Sequence, residues 1–171
     1  MEEILDMYDS NKIKTSKKYI RGSNNLKENE YVIVVEVLIL NSKNEILLSQ
    51  RAGSKKLNPL KWETTQGSVK NGEDSKMAAV RELKEELGIS INKETLNYFK
   101  TIKDEEEHIF KDMFWTKENI DLKEIKFTDD EVIGVKWVTF DELDKMSKTN
   151  QLASNMNFNL INIRKILVMF K

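Results

Sequence analysis

The sequence has 171 residues, which is enough for one domain with a hydrophobic core. Its 28 lysines and arginines nearly balance its 29 aspartates and glutamates, so no positive excess favours a nucleic-acid polymer or a membrane surface as partner. Cysteine is absent, which excludes disulfides, thiolate nucleophiles and cysteine-based zinc sites. The N-terminus lacks the features of a signal peptide and no apolar run is long enough to span a membrane, so we expect a cytoplasmic protein.

The first 66 residues predict strands and turns. In chain order these are a hairpin extension (1–30) that turns around 9–11, a loop (22–29), a strand (31–40), a turn (41–44), a second strand (45–51), a loop (52–61) and a short strand (62–66). Residues 31–40 are β-branched and almost continuously apolar, which is typical of a buried central strand. Together with 45–51, across the short turn, they predict a hairpin.

The rest of the chain predicts helices separated by strands. In chain order these are a helix (75–87), strands (95–102, 108–115 and 132–138), a short helix from Phe140 capped by Thr139 or Asp141, and a C-terminal helix (153–171). The first helix has an apolar stripe of Met77, Val80, Leu83 and Leu87 and ends at Gly88. The C-terminal helix has Leu160, Ile163, Leu167 and Phe170 at helical spacing, so it can dock on the sheet or mediate a dimer. The pattern predicts an α+β domain in which helices cover a mixed sheet.

Three carboxylates share one face of the first predicted helix. At about 100° per residue, Glu82, Glu85 and Glu86 fall within one sector, away from the apolar stripe. A like-charged i, i+4 pair costs roughly 0.2–0.5 kcal/mol, and a hard divalent cation, which prefers oxygen ligands, removes that repulsion. Taken alone, the helix is better explained by a solvated charged face on which Arg81 pairs with Glu85.

The spacing beyond this helix changes the interpretation. Gly67 is followed after five residues by Glu73, and after seven more by Arg81-Glu82-Leu83-x-Glu85-Glu86-x-Gly88-Ile89. Seven fixed positions, each matched by chance about once in fifteen, give a random match on the order of one in 10⁸ per starting point. Residues 67–89 therefore resemble the Nudix box. The specific similarity to the Nudix family covers residues 31–89, with weaker similarity at the N-terminus and at 131–143.

The resemblance implies a Nudix-type α/β/α sandwich with a mixed β-sheet and a loop–helix–loop that holds Mg²⁺, or alternatively Mn²⁺. The implied metal ligands are Glu82, Glu85 and Glu86. Arg81 would orient Glu82 through a charge-assisted hydrogen bond, and Glu73 would brace the loop or reach a second ion. Gly67 would let the backbone approach the metal closely. We expect residues 1–171 to form a single Nudix hydrolase domain.

The implied activity is hydrolysis of a phosphoanhydride bond in a nucleoside-diphosphate-linked or related small pyrophosphate substrate. Metal ions neutralise the charge of a diphosphate and activate a water for in-line attack. We expect Glu82, Glu85 and Arg81 to carry catalysis. The base that takes the proton of the water stays open among Glu82, the acidic residues Glu105, Glu106 and Glu107, and Glu131.

A second resemblance concerns residues 47–62 (LLSQRAGSKKLNPLKW) and the N-terminal segment. They are similar to the isopentenyl-diphosphate-isomerase-like branch of the superfamily, which implies that Arg51 and Lys55 hold a diphosphate. The isomerase needs a cysteine just before the box glycine, where this chain has Gln66, so a hydrolase is favoured. The other alternative is a catalytically silent nucleotide-binding module, against which the complete set of box carboxylates argues. We expect a small-molecule diphosphate as partner, and both a monomer and a homodimer remain open.

Two aromatic residues outside the box have ordinary structural explanations. Trp62 precedes the box and is expected in the core rather than as a stacking platform for a base. His108 is the only histidine, so a histidine-cluster zinc site is excluded, and we expect it to be structural.

Overall fold

The computed structural model describes residues 2–23, 25–127, 130–156 and 160–170. Within these ranges the strands are β1 (Ile4–Tyr8), β2 (Lys14–Ile20), β3 (Val32–Leu40), β4 (Ile46–Arg51), β5 (Trp62–Glu63), β6 (Thr65–Ser68), β7 (Asn97–Asp104), β8 (Ile109–Lys117) and β9 (Val132–Val138). The helices are α1 (Ser75–Leu87), α2 (Phe140–Lys148) and α3 (Leu160–Val168), with a 3₁₀ turn at Lys93–Thr95.

Strand β3 is the centre of the main sheet. It pairs in parallel with β8, in a register that runs from Val32 opposite Ile109 to Leu40 opposite Lys117. Its other edge pairs antiparallel with β6, and β8 pairs antiparallel with β7. Because both faces of β3 are covered, its nearly continuous apolar sequence agrees with its central position, as predicted.

The expected hairpin of β3 and β4 forms only at its closed end. The Asn41 side-chain oxygen accepts hydrogen bonds from the amides of Lys43 and Glu45, which closes the turn. Beyond the single pair of Leu40 with Ile46 the two strands separate, and β4 pairs instead with β9 and β5. The predicted pairing of the two strands is therefore confined to the turn, because β6 and β8 occupy the two edges of β3.

Side chains on the two faces of β3 belong to two different hydrophobic clusters. Val35, Val37 and Ile39 pack with the α1 residues Leu83 and Leu87. The alternate residues Leu38 and Leu40 pack with Leu143 of α2 and with Ile163 and Ile166 of α3. The sheet thus lies between α1 on one side and α2 with α3 on the other, which confirms the predicted α/β/α sandwich with a mixed sheet.

The C-terminal helix is shorter than predicted. It was expected to begin at residue 153, but the described helix begins at Leu160; residues 157–159 and 171 lie outside the described ranges. Residues 151–153 instead pair with β5: the amide of Trp62 donates to the carbonyl of Gln151 at 2.9 Å, and the amide of Ala153 donates to the carbonyl of Trp62 at 2.9 Å. The predicted apolar face is correct, since Ile163 is fully buried and Leu160, Leu167 and Phe170 pack beside it. Docking on the sheet is therefore the observed arrangement.

Three smaller boundaries also differ from the predictions. The strand expected at 62–66 is divided at Thr64 into β5 and β6, which pair with different neighbours. The strand expected from Thr95 begins at Asn97, because residues Lys93–Thr95 form a 3₁₀ turn. Helix α2 is capped by Thr139 rather than Asp141, through a reciprocal capping box with Glu142.

The N-terminal extension forms the predicted hairpin, β1 with β2, in which the Asp9 carboxylate accepts from the amides of Asn11 and Ile13. In the ranges the structure describes, no helix is both long and apolar enough to cross a lipid bilayer. The cytoplasmic location stays a prediction.

Candidate active site

Helix α1 has the bounds that its sequence predicts. The Asp74 side chain caps its start by accepting from the amide of Met77 at 2.8 Å, and Gly88 ends it in the left-handed conformation with φ of 66°. Leu83 and Leu87 are buried against the sheet, but Met77 is 46% exposed and does not extend the apolar stripe as expected. The helix is thereby fixed with Glu82 facing the neighbouring strand β6.

Glu82 lies directly against the backbone of Gly67 in β6. A Cβ atom at Gly67 would overlap the carboxyl group of Glu82, so any other residue here would displace that side chain. The Glu82 residue is only 8% exposed. The sequence led us to expect that the glycine brings backbone close to a metal. The structure shows a different reason for it, the space occupied by the Glu82 carboxylate.

Arg81 connects the acidic residues of the site. Its Nε and Nη2 donate to the two Glu73 carboxylate oxygens at 2.7 and 2.9 Å. Its Nη1 donates to Glu82 at 2.6 Å and to Glu85 at 2.8 Å, and Nη2 also reaches the carbonyl of Ser68 at 2.7 Å. The expected contact between Arg81 and Glu82 is present, and Glu73 braces the loop in front of α1 through Arg81.

Burial and charge act in opposite directions on these groups. Burial raises the pKa of the Glu82 carboxyl, and the positive charge of Arg81 only partly opposes this. For Glu73 burial also raises the pKa, but hydrogen bonds from Arg81 and the amide of Lys70 outweigh it, so the pKa is lowered. Burial lowers the pKa of Arg81, yet its bonds to Glu73 and Glu82 raise it overall. Of Glu73 and Glu82, Glu82 is thus the carboxylate whose ionised form is less stabilised by its surroundings.

The family model of the NUDIX domain matches residues 30–157 of this chain. The chain belongs to the Nudix family. The Nudix hydrolase lmo0368 of Listeria monocytogenes is 32% identical over 171 residues, covering 97% of this chain and 99% of the relative. On this basis the chain is a Nudix pyrophosphohydrolase.

Solved structures of other proteins share the fold. The crystal structure of DR0079 from Deinococcus radiodurans superposes with a TM-score of 0.73 at 20% identity, over 95% of this chain and 98% of that one. The NUDIX domain of Shewanella oneidensis NrtR, complexed with ADP ribose, superposes with a TM-score of 0.63 at 13% identity, over 90% of this chain and 94% of that one. The N-terminal hairpin, residues 4–20, lies outside the range that the family model matches.

The box residues fit a divalent cation, which Nudix hydrolases generally need. The acceptors around Glu82 are carboxylate and carbonyl oxygens, which hard cations prefer, and the buried Glu82 would be stabilised by added positive charge. Among the residues that the structure describes, no three acidic or histidine side chains converge into a ready-made metal cage. Glu73, Glu82 and Glu85 instead contact Arg81, and Glu86 is half-buried one residue further along. Metal binding would require carboxylates to turn from Arg81 to the ion.

The two cations expected to hold the diphosphate have protein partners. Arg51 in β4 donates to Glu63 at 2.5 Å and to the carbonyl of Leu57 at 3.0 Å, and its side chain is 16% exposed. Lys55 lies in the following loop and pairs with Glu131 at 2.6 Å. The role of both residues in phosphate binding stays a prediction. Arg51 is held by two partners, whereas Lys55 pairs with an exposed carboxylate that a substrate phosphate could replace.

The candidates for the general base differ in position. Glu105 accepts from the hydroxyl of Tyr31 and from Lys103, so it is part of a surface network on the Tyr31 side of the sheet. Glu106 and Glu107 are exposed in the same turn. Glu131 pairs at 2.6 Å with Lys55, the lysine expected to hold a diphosphate. The choice of general base among these carboxylates stays a prediction.

Sequence reasoning missed residues that surround the box from outside it. Arg21, just after β2, donates to Glu3 at 2.7 Å, and Lys70 lies 3.8 Å from Glu3 and 3.6 Å from Glu85. The charge of Glu3 also contributes to the raised pKa of Glu82. No local signal identifies Glu3 or Arg21, because their contact with the box depends on how the N-terminal hairpin docks.

The remaining residues of interest have structural positions. His108 contacts the carbonyl of Glu30 at 3.1 Å and packs on Tyr31, with ring centroids 5.4 Å apart. Trp62 packs against the hydrophobic cluster under α2 and α3, as expected for a core residue. Gln66 accepts from the buried Lys111 at 2.8 Å. Its amide cannot replace the thiol that an isomerase would need at this position.

Proposed function

We propose that this chain hydrolyses a phosphoanhydride bond in a nucleoside diphosphate linked to another group, or in a related small pyrophosphate, with Mg²⁺ as cofactor and Mn²⁺ as an alternative. The observation that carries the proposal is the buried Glu82 carboxylate, held against Gly67 by Arg81 within an unbroken Nudix box. The proposed metal ligands are Glu82, Glu85 and Glu86. Gly67 and Glu73 belong to the same site, the first by making room for Glu82 and the second by fixing Arg81.

The protein's own residues have separate tasks in this reaction. Glu82, Glu85 and Glu86 would hold a divalent cation, which would supply charge neutralisation of the diphosphate and activation of water for in-line attack. Arg81 hydrogen-bonds to Glu73, Glu82 and Glu85 before a cation binds, and it can keep its bonds to Glu73 when Glu82 and Glu85 turn away. Lys55 can exchange Glu131 for a substrate phosphate, because both are anionic partners of the same ammonium group. The released Glu131 is the proposed acceptor of the water's proton.

The chemical balance is that of a hydrolysis. One phosphorus gains the hydroxyl of water, the bridging oxygen leaves on the other phosphate, and one proton passes to the base. The reaction needs no redox partner. A nucleoside diphosphate linked to a sugar is the first substrate class to test, because the structurally similar NrtR domain binds ADP ribose.

The proposal is tested by incubating the purified chain with Mg²⁺ and four substrate groups, with products identified by chromatography and ³¹P NMR. The groups are nucleoside triphosphates, sugar nucleotides, dinucleoside polyphosphates and isopentenyl diphosphate. We expect phosphate-ester products from a nucleotide group and none when EDTA removes the metal. Binding without cleavage of any compound would instead identify a silent nucleotide-binding module, and an isomerised product would identify an isomerase.

A further inference from the structure

The N-terminal hairpin, β1 with β2, lies outside the matched family domain but contacts the box directly. Its first strand meets the loop between β6 and α1, which we call the box loop (residues 69–74). Leu5 bridges to Lys70, and the amide of Asn71 donates to the carbonyl of Ile4 at 2.8 Å. A second contact, two backbone hydrogen bonds between Tyr8 and Tyr31, joins the hairpin to the start of β3. The hairpin is therefore docked on both the box loop and the sheet.

Asp6 makes the most buried polar contact of this interface. It is 1% exposed, and its carboxylate accepts from the amide of Gly72 in the box loop at 2.9 Å. Lys14 donates to it at 2.7 Å, and Lys18 bonds both to Asp6 and to the side chain of Asn71. Burial alone would raise the pKa of Asp6, but these donors lower it to about 2, so the group is ionised at neutral pH.

The turn that Asp6 holds is the one that positions Glu73. Residues 70–73 close on themselves, with the amide of Glu73 donating to the carbonyl of Lys70 at 3.0 Å and Gly72 at a φ of 85°. The Glu73 side chain accepts from the amide of Lys70 at 3.0 Å and from two nitrogens of Arg81. Arg81 in turn contacts Glu82 and Glu85. Asp6 is thus connected to Glu82 and Glu85 by its hydrogen bond to Gly72, the backbone from Gly72 to Glu73, and the hydrogen bonds of Arg81.

We propose that Asp6 is a positioning residue of the metal site, and that the N-terminal hairpin sets the affinity of the Nudix box for its divalent cation. This inference rests on the proposed function, because it assumes that the box binds a metal. The physical reason is that partners which orient metal ligands typically change metal affinity by about 10–100-fold when they are removed. A hairpin that only added stability would leave the affinity of the folded protein unchanged.

The experiment compares wild type with Asp6→Asn, which keeps the side-chain volume, removes the charge and turns an amide donor towards Lys14 or Lys18. The matched control is Glu30→Gln, because the Glu30 carboxylate pairs with Lys17 of the same hairpin at 2.8 Å and accepts from the amide of Lys27 at 3.0 Å, both outside the box loop. Both variants lose one negative charge, so a general electrostatic effect would appear in both. The readouts are Mn²⁺ affinity without substrate, hydrolysis as a function of Mg²⁺, and hydrogen exchange of the Gly72 amide.

For Asp6→Asn we expect about 10-fold weaker Mn²⁺ binding and a matching rise in the Mg²⁺ concentration for half-maximal rate. At saturating Mg²⁺ kcat should return close to the wild-type value, and the Gly72 amide should exchange faster. Glu30→Gln should match wild type in all three readouts. Faster exchange at Gly72 with unchanged metal affinity would overturn the proposal and leave the hairpin a purely structural role.

A second variant covers the case in which Asp6→Asn fails to fold. Lys18→Gln leaves Asp6 ionised and bonded to Gly72 but removes the ammonium that connects it to Asn71, so we expect a smaller loss of Mn²⁺ affinity in the same direction. Wild-type Mn²⁺ affinity in this folded variant would again contradict the proposal. Failure of the proposed function is distinguishable, since then the wild-type chain itself would show no metal-dependent hydrolysis.

Discussion

At the scale of single residues, the site depends on a few side chains on α1 and on the glycine opposite them. Glu82 is buried, and its pKa is raised by that burial despite the neighbouring Arg81. Arg81 shares its donors among Glu73, Glu82 and Glu85, so it keeps the carboxylates close together without a cation. Three substitutions test these features separately. Glu86→Gln removes a ligand charge, Gly67→Ala fills the space beside Glu82, and Lys55→Ala removes a cation, and we expect them to change kcat, kcat/KM and KM respectively.

Replacing Glu86 by Gln removes a proposed ligand charge and almost no volume. We expect kcat to fall by several orders of magnitude while the melting temperature stays near that of wild type, because the residue is only half-buried at the surface of α1. Steady-state kinetics and thermal unfolding measure the two effects. Glu94→Gln, the same change at an exposed position of the 3₁₀ turn, serves as control and should leave both unchanged. A near-normal rate in Glu86→Gln would remove Glu86 from the site.

Replacing Gly67 by Ala tests whether the glycine serves Glu82. The added Cβ would overlap the Glu82 carboxyl group, so the carboxylate must move, and a displacement of about 1 Å typically costs on the order of 100-fold in rate. Gly53→Ala is the matched control, since its Cβ would meet only Leu60 at an ordinary 3.5 Å. We expect kcat/KM to fall in the first variant alone. Equal activities in both would contradict the assignment of Gly67.

Replacing Lys55 by Ala tests the proposed phosphate contact. We expect the substrate KM to rise, because a cation facing the diphosphate is lost, with a smaller effect on kcat. Lys56→Ala changes the adjacent and more exposed lysine and should keep the wild-type KM. If the two variants have the same KM as wild type, Lys55 is only the partner of Glu131 that the structure shows.

At the scale of elements, local signals predicted some boundaries and long-range contacts decided the others. Helix α1 was predicted with its observed bounds, because the apolar spacing and Gly88 are local features of the sequence. The beginning of α3 was not predicted correctly, because residues 151–153 pair with β5, ninety positions earlier in the chain. The same limit applies to the site: the contacts of Arg81 follow from the box spacing, whereas those of Glu3 and Asp6 depend on the docked hairpin.

The docking of α3 gives a stability prediction at this scale. Ile163 is fully buried between α3 and the sheet, so Ile163→Ala should lower the free energy of unfolding by about 2–5 kcal/mol. Ile161 is 67% exposed on the same helix, and Ile161→Ala should have little effect. Urea unfolding followed by circular dichroism measures both variants. Equal stabilities would show that α3 is not held on the sheet in solution.

At the scale of the whole molecule, one sheet supports both the core and the site. Strand β3 contributes side chains to the hydrophobic clusters on both of its faces. One edge of β3 pairs with β6, the strand that contains Gly67. The N-terminal hairpin outside the matched family range docks on this same region. That residues 1–171 form a single domain stays a prediction, and the choice between monomer and homodimer stays open to measurement.

The most direct test is a crystal of this chain soaked with Mn²⁺ and a non-hydrolysable analogue of a sugar nucleotide, with the ion located by its anomalous signal. We expect density for an ion in contact with carboxylate oxygens of Glu82, Glu85 and Glu86 and with the diphosphate, while Arg81 keeps Glu73. An occupied analogue with these three carboxylates still turned to Arg81 or to solvent, and no ion among them, would contradict the account.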